Sequence, residues 1–257
     1  MIAAPMSPPR NFLAGLRVLI TRPQGDSTDD WMAAFAAAGA IPLSYPTVAI
    51  VPPASWRELD AAIGKLDGYD WVIFTSQTAV TLTLGRLPAR HFPSDMRAKI
   101  AAIGPSSARA IENGGGQVAL MPGDSRQEGL VEEFRNLPAG TRVLFPQAAG
   151  ARPLLVQRLR GQGCIVDSVT VYKTEPKADL QPPPSFDVAT FASPSALRAF
   201  LTGLEKAALA GKTVAVIGPT TAHEAATNGL HPVVSQSPDV DGLVLAIAQS
   251  RATQGDP

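Results

Sequence analysis

The feature that most constrains the fold is a strand–turn–helix motif that occurs twice. Residues 214–217 form a short apolar run, which predicts a buried strand. Gly218-Pro219 ends the strand and lets a helix begin, because the fixed φ of proline suits the first helical position. Asn228-Gly229 is a helix stop signal. The same succession occupies residues 100–114, so one local structure is predicted at two places.

Two other motifs recur in the same order and at nearly the same spacing. The repeated positions are Ile103 and Ile217, 114 residues apart, Phe74 and Phe191, 117 apart, and Val18 and Val143, 125 apart. A period this long does not fit a solenoid and indicates a duplicated unit. Predicted strands and helices alternate throughout, so the expected fold is α/β, with two similar doubly wound parallel-sheet domains.

Composition excludes several classes of function. The 257 residues suffice for two domains, and 22 basic against 22 acidic side chains give zero net charge, which argues against nucleic-acid binding. One cysteine and three widely spaced histidines predict no metal site. No apolar run is long enough to span a membrane, and Met1 to Asn11 lacks the pattern of a signal peptide. We therefore expect a cytoplasmic protein.

The turn after Ile217 has the character of an anion site. A helix N-terminus leaves backbone N–H groups without intrahelical partners, and the helix dipole adds positive potential there. Pro219 has no N–H, so the expected donors are Thr220, Thr221 and Ala222. Such a turn suits a carboxylate or a phosphate.

Taken together, the motifs resemble those of the uroporphyrinogen-III synthase family, and the likeness runs from about Leu16 to Gln249. The segments that carry it are Ile20-Thr-Arg-Pro23, Phe74-Thr-Ser-Gln-Thr-Ala-Val80, Ile103-Gly-Pro105, Val171-Tyr-Lys-Thr174, Phe191-Ala-Ser-Pro-Ser195 and Ile217-Gly-Pro-Thr-Thr-Ala222. Each segment alone is a common pattern. The ordered set with these spacings is specific.

The resemblance implies domains that are discontinuous in sequence and joined by a two-stranded ladder. One domain would comprise residues 1–45 and 175–257, and the other residues 53–167. The ladder would be formed by residues 46–52, an alternating proline-bounded segment, and residues 168–174, the end of an unusually long predicted strand.

The resemblance also implies the reaction. Family members close hydroxymethylbilane, a linear tetrapyrrole, into uroporphyrinogen III, with loss of water and inversion of ring D, and they use no metal or organic cofactor. The implied partner is this small molecule, with neither nucleic acid nor membrane. The resemblance further implies a monomer and leaves room for a transient contact with the preceding enzyme of the pathway.

The substrate carries several carboxylates, so the implied binding residues are helix N-terminal turns and polar side chains near them. The expected substrate-binding residues are Thr21, Arg22, Ser76, Gln77, Gly104, Ser106, Ser107, Gln147, Arg152, Ser193, Ser195, Gly218, Thr220 and Thr221. For each hydroxyl the alternative role is helix capping. Tyr172 matches the family's tyrosine and is the expected general acid, because a phenol can donate a proton without carrying charge. Its alternative role is packing within the ladder.

Two other functions remain open from the sequence. A two-domain protein that binds an anionic small molecule without chemistry would share this architecture. Such proteins are normally exported, and no signal sequence is apparent. A nucleotide-sugar transferase also has two α/β domains, but no segment here resembles a nucleotide site.

Overall fold

The computed structural model describes residues 12–23, 26–204 and 206–254, so the prediction for Met1 to Asn11 lies outside it. The strands are β1 (Arg17–Ile20), β2 (Ile41–Ser44), β3 (Val48–Val51), β4 (Trp71–Phe74), β5 (Lys99–Ala102), β6 (Val118–Leu120), β7 (Arg142–Ala148), β8 (Ile165–Pro176), β9 (Val188–Phe191), β10 (Thr213–Val216) and β11 (Val233–Val234). The helices are α1 (Asp26–Ala37), α2 (Arg57–Ile63), α3 (Gln77–Leu84), α4 (Pro105–Asn113), α5 (Gln127–Glu133), α6 (Leu154–Gly161), α7 (Pro194–Gly203), α8 (Pro219–Thr227) and α9 (Val240–Gln254).

The chain divides into two compact units. Unit 1 comprises the described residues up to Ala49 and from Glu175 onward, and unit 2 comprises Ile50–Thr174. Both divisions fall inside strands, one in β3 and one in β8, which are neighbours in a sheet. The chain thus passes from one unit to the other twice, each time along an extended strand.

Unit 1 contains a five-stranded sheet in the order β11-β10-β9-β1-β2, and all its strand pairs are parallel. Side chains alternate between the two faces. Val18 and Ile20 pack with α1 and α9, whereas Leu19 packs on the opposite face with α7 and α8. This alternation is the period-two pattern of a strand that is buried on both faces.

Unit 2 contains a six-stranded sheet in the order β3-β8-β7-β4-β5-β6, and the pairs from β8 to β6 are parallel. Val72 and Phe74 face a cluster with α2, α3 and α4, and Ile73 faces α5 and α6. Helices cover both faces of each sheet, so the predicted α/β fold with two parallel sheets is confirmed.

The two sheets repeat the same order of strands. Read from β2, the order β2-β1-β9-β10-β11 corresponds to β8-β7-β4-β5-β6, so each sheet combines one strand from each repeated motif. The two units also share an equivalent hydrogen bond. Asp187 Oδ2 accepts from the backbone N–H of Arg17 at 2.8 Å, and Asp70 Oδ2 accepts from that of Arg142 at 2.7 Å.

The last helix differs from the expectation. The sequence predicts a last helix over Asp241 to Gln249 with a disordered tail after it, but α9 spans Val240–Gln254. Residues 250–253 include no glycine or proline, and the Thr253 hydroxyl donates to the carbonyl of Ser250 at 2.8 Å. The helix continues because the first stop residue in the sequence is Gly255.

Candidate active site

The expected site residues cluster at one edge of each sheet. Parallel strands place all their carboxyl ends at the same edge, and ligands of open α/β sheets bind there. In unit 2 the turns after β4 and β5 enter α3 and α4, and in unit 1 the turns after β9 and β10 enter α7 and α8. Each unit therefore carries two adjacent helix N-termini at its carboxyl edge.

One turn in each unit is capped by a serine side chain. Ser76 is extended, at φ −158° and ψ 145°, and its Oγ accepts from the N–H of Ala79 at 3.1 Å. Ser193 repeats this geometry, and its Oγ accepts from the N–H of Ala196 at 3.2 Å. The Ser195 hydroxyl lies 2.9 Å from that of Ser193. The Ser76 and Ser193 hydroxyls are helix caps, which was the alternative role for them, and both serines are half-buried.

The other turn in each unit has no side-chain cap, and we call these the two Gly-Pro turns (Gly104-Pro105 and Gly218-Pro219). The expectation that the Ala222 N–H is a free donor is wrong, because it donates to the Gly218 carbonyl at 3.0 Å. Pro219 is the first helical residue, so the intrahelical bonds begin at Ala222. Among the residues of α8, the N–H groups of Thr220 and Thr221 are therefore the ones that lack an intrahelical acceptor.

The Gly104 turn has the same arrangement. The Ala108 N–H donates to the Gly104 carbonyl at 3.0 Å, which leaves the N–H groups of Ser106 and Ser107. The side chains differ from the expectation. Ser107 and Thr221 are only 3% and 2% exposed, so their hydroxyls point away from solvent, whereas Ser106 and Thr220 are exposed.

The two glycines are required to different degrees. A Cβ on Gly104 would lie 3.0 Å from Ser125 Oγ, a tight contact. A Cβ on Gly218 would have no neighbour within 4 Å, and its backbone is extended, with φ 179°. Neither space nor conformation therefore demands glycine at position 218.

Tyr172 and Ser76, which are 96 residues apart, are brought together in unit 2. The Tyr172 hydroxyl donates to Ser76 Oγ at 3.1 Å, and the tyrosine ring lies in the hydrophobic cluster of α3 and α4, only 9% exposed. Ser76 Oγ accepts from both Tyr172 and Ala79, so its own proton can be donated to a third group. The two hydroxyls form a short chain that ends at a half-buried serine.

Two expected site residues lie in the loop after β1. Thr21 is fully buried, and its hydroxyl donates to the Thr190 carbonyl at 2.7 Å, so the side chain stabilises the sheet. Arg22 lies over the Trp31 ring, with its Cζ 4.8 Å from the ring centroid. Burial lowers the pKa of the Arg22 guanidinium, and the charge of Asp30 opposes that shift.

The remaining expected residues lie in unit 2. Gln77 is the half-buried first residue of α3, and Gln147 donates from Nε2 to Ser168 Oγ at 2.6 Å. Arg152, in the loop after β7, forms a bidentate ion pair with Glu128, at 2.7 and 2.9 Å. The hydrogen bond from Arg152 lowers the pKa of Glu128 to about 2.

Glu128 was missed by the sequence analysis, although the sequence carries a signal for it. Glu128-Gly-Leu-Val131 repeats as Asp241-Gly-Leu-Val244, 113 positions later. Both glycines sit where a Cβ would collide, 2.1 Å from Asp124 O at Gly129 and 2.0 Å from Ser237 Oγ at Gly242. This is a fourth repeated motif, and each copy lies in the first turn of the helix that follows an edge strand, α5 after β6 and α9 after β11.

Other functional features are absent from the part of the chain described. Within residues 12–23, 26–204 and 206–254, no group of three histidine, cysteine, aspartate or glutamate side chains could hold a metal ion. Over the same residues, no helix combines the length and the apolar character needed to cross a bilayer.

Fold and site together define a duplicated parallel α/β protein whose sheet edges carry backbone donors suited to anions. The family model for uroporphyrinogen-III synthase HemD matches residues 29–245. The chain belongs to the uroporphyrinogen-III synthase family. The predicted class, a lyase of tetrapyrrole biosynthesis, is thereby confirmed, and the non-catalytic alternative is not favoured.

Individual relatives agree with this assignment. The chain is similar to uroporphyrinogen-III synthase from Synechococcus elongatus, with 34% identity over 256 residues, covering 92% of this chain and 96% of the relative. A putative uroporphyrinogen-III synthase from Methanothermobacter thermautotrophicus is 29% identical over 237 residues, covering 85% and 92%. The crystal structure of uroporphyrinogen-III synthetase from Helicobacter pylori shares the fold, with a TM-score of 0.62 and 18% identity, covering 92% of this chain and 99% of that one.

Proposed function

We propose that this chain is a uroporphyrinogen-III synthase that closes hydroxymethylbilane into uroporphyrinogen III, with loss of water and inversion of ring D. The similarity to the Synechococcus protein over 92% of the chain supports the reaction. The observation that carries the mode of binding is the pair of Gly-Pro turns, each with two helix N-terminal amides and no side-chain cap.

Backbone donors explain how a chain of zero net charge binds a substrate with many carboxylates. The amides of Thr220 and Thr221 in unit 1, and those of Ser106 and Ser107 in unit 2, point out of helix ends where the dipole is positive. A carboxylate at either turn would take the place of the missing cap. Bonds from amides to a carboxylate are charge-assisted and therefore stronger than neutral ones.

In each unit, the other polar residues at the carboxyl edge of the sheet would add contacts to the substrate. The residues that would do so are Arg22, Gln77, Gln147, Arg152, Ser76, Ser193 and Ser195, which lie at or after the carboxyl ends of strands. Gly104 and Gly218 would contribute as the uncapped positions that precede these amides. Thr21, Ser107 and Thr221 have buried side chains, so we assign them a role through their backbone rather than through their hydroxyls.

Tyr172 would act as the general acid through Ser76. Ser76 would give its proton to the hydroxyl that leaves ring A, and it would recover a proton from the Tyr172 phenol at 3.1 Å. The C–O bond breaks and the oxygen departs as water. The phenolate regains its proton when ring D loses the α-hydrogen at the carbon that forms the closing bond, so the enzyme ends in its starting state.

Several expectations accompany this proposal. We propose that units 1 and 2 are the two domains of the family and that residues 46–52 and 168–174 are the connecting ladder. We also propose that the protein acts in the cytoplasm as a monomer, without metal or cofactor, and that it binds neither nucleic acid nor membrane. A transient contact with the preceding pathway enzyme stays a prediction.

The test is conversion of hydroxymethylbilane by the purified protein, with separation of the type III and type I isomers. Type III requires inversion of ring D, whereas type I is the product of closure without inversion. We expect protein-dependent formation of type III that persists after exhaustive chelation. Tight binding of hydroxymethylbilane without type III product would instead support the non-catalytic alternative.

A further inference from the structure

Four charged side chains of unit 2 form an exposed cluster, and the proposed function has so far given a role to only one of them, Arg152. The other three are Asp124, Arg126 and Glu128. Arg126 donates to Asp124 from Nε and Nη2, at 2.8 Å each, and Arg152 donates to Glu128 from Nη1 and Nη2. The charges of Arg152 and Arg126 both contribute to the low pKa of Glu128. The two ion pairs therefore lie near enough to act on each other.

The Glu128–Arg152 pair lies at the carboxyl edge of the unit 2 sheet. Arg152 follows β7, and Glu128 is in the first turn of α5, which follows β6. The loop after β7 and the helix after β6 both start at this edge, so the pair joins two segments that leave the sheet on the same side. The loop that leads to α5 also contacts the Gly104 turn, since Ser125 is the neighbour that a Cβ on Gly104 would meet.

A second bond ties the same two elements together. The Gln127 side chain is buried, and its Oε1 accepts from the N–H of Leu155 in the first turn of α6, at 3.4 Å. Gln127 thus holds the start of α5 against the start of α6. Glu128, the next residue, is placed by this contact at the loop that carries Arg152.

The ion pair leaves the guanidinium able to bind another group. A guanidinium has five N–H donors, and the bidentate contact uses one on each of two nitrogens. Three donors therefore remain for a second acceptor. The Arg152 and Glu128 side chains are 58% and 49% exposed, so a ligand can reach them.

We infer that Glu128 is a positioning residue, which holds the Arg152 guanidinium in one orientation so that its remaining donors bind a carboxylate of the substrate. A long arginine side chain in solvent samples many rotamers, and fixing it before binding removes part of the entropic cost of binding. This inference rests on the proposed function, and it assigns a role to a residue that does not itself contact the substrate.

A simple electrostatic account predicts the opposite effect. Glu128 carries a negative charge, and it would repel an anionic substrate if it did nothing else. Removing that charge would then strengthen binding. Positioning and repulsion therefore predict changes of opposite sign in the KM for hydroxymethylbilane.

The decisive variant is Glu128→Gln, assayed for type III formation over a range of hydroxymethylbilane concentrations. We expect KM to rise roughly threefold to tenfold with kcat changed less than about twofold, because the lost contact acts on binding. Glu132→Gln is the matched control. It removes the same charge from the next turn of α5, where Glu132 pairs with Arg135, and its KM should stay at the wild-type value or fall.

A double-mutant cycle tests whether Glu128 acts through Arg152. If it does, Glu128→Gln should add nothing to Arg152→Ala, and the double variant should have the KM of Arg152→Ala alone. An unchanged or lower KM in Glu128→Gln, or fully additive effects in the cycle, would overturn the inference while leaving the proposed function intact. A wild-type protein that forms no type III isomer would overturn both.

Discussion

Substitution of Gly218 by serine gives the sharpest test of the Gly-Pro turn as a carboxylate site. At the equivalent turns, Ser76 and Ser193 accept from the N–H three residues ahead, at 3.1 and 3.2 Å. A serine at position 218 would accept from the Thr221 N–H in the same way. Since a Cβ there meets no atom within 4 Å and the backbone is already extended, the substitution requires no rearrangement.

Gly218→Ser should stabilise the folded protein. A serine cap gains a few tenths of a kcal/mol over glycine, and the loss of glycine's freedom in the unfolded chain adds about 0.4–1 kcal/mol. The sum is about 0.5–1.5 kcal/mol. For a chain of this size that corresponds to a rise in Tm of roughly 1–5 °C, measurable by calorimetry or circular dichroism.

The same change should weaken substrate binding. The serine oxygen would occupy the Thr221 N–H, and a carboxylate would lose one charge-assisted bond, worth about 1.5–3 kcal/mol. We therefore expect KM for hydroxymethylbilane to rise roughly tenfold or more, with kcat less affected. Stability and affinity should thus move in opposite directions.

Gly218→Ala is the matched control, because it adds the Cβ but no acceptor and leaves both amides available. We expect its KM to change much less than that of Gly218→Ser. A serine variant with raised Tm and wild-type KM would refute the reasoning and reduce this turn to a helix start. Equal loss of affinity in both variants would show that the space, rather than the amide, is what the substrate needs.

Three further predictions concern single side chains. Tyr172→Phe should lower kcat, measured in discontinuous assays, roughly tenfold or more if the phenol supplies the proton. The lost hydrogen bond should also lower the free energy of unfolding by about 1 kcal/mol. An unchanged kcat would leave the tyrosine only a packing role. Thr21→Val removes the buried bond to the Thr190 carbonyl and should cost about 1–3 kcal/mol in urea unfolding without raising KM. A raised KM with normal stability would point instead to substrate contact. Burial and the hydrogen bond to Asp167 raise the pKa of Tyr69, so only the unfolded chain ionises this phenol as pH passes about 10. The free energy of unfolding should therefore decrease above that pH in the wild type, and Tyr69→Phe should remove this part of the decrease. An equally steep decrease in the variant would contradict this prediction.

Much of the fold follows from local sequence patterns. Strands of four or five apolar residues, ended by Gly-Pro or Ser, and helices ended by glycine determine most element boundaries to within a few residues. The repeated motifs also indicate which strands are equivalent, and β1 and β7, β4 and β9, and β5 and β10 do occupy matching places in the two sheets. These features were predictable because they depend on residues adjacent in the chain.

The bonds of the site were not predictable in the same way. Tyr172 reaches Ser76 because β8, β7 and β4 are neighbours in the sheet, and Arg152 reaches Glu128 because α5 packs beside α6. Neither contact follows from the spacing of the residues in sequence. The number of free amides, in contrast, was miscounted although the rule was local. The four positions without an intrahelical acceptor begin at the N-cap, Gly218, and not at Pro219, so they end at Thr221.

Two of the four turns are capped by serine, at Ser76 and Ser193, and two have glycine at the same position, Gly104 and Gly218. A serine cap would make the folded protein more stable, so the two glycines need an explanation. At position 104 packing disfavours a side chain, because a Cβ would lie 3.0 Å from Ser125 Oγ and the serine would have to move. At position 218 space and conformation both permit a capping residue, and the sequence has glycine followed by a proline that contributes no donor. If stability alone mattered, that helix end would be better capped by about 0.5–1.5 kcal/mol. Under the proposed function the substrate carboxylate is the cap, and a serine would compete with it. Of the two glycines, only Gly218 therefore has an identity that folding does not explain and binding does.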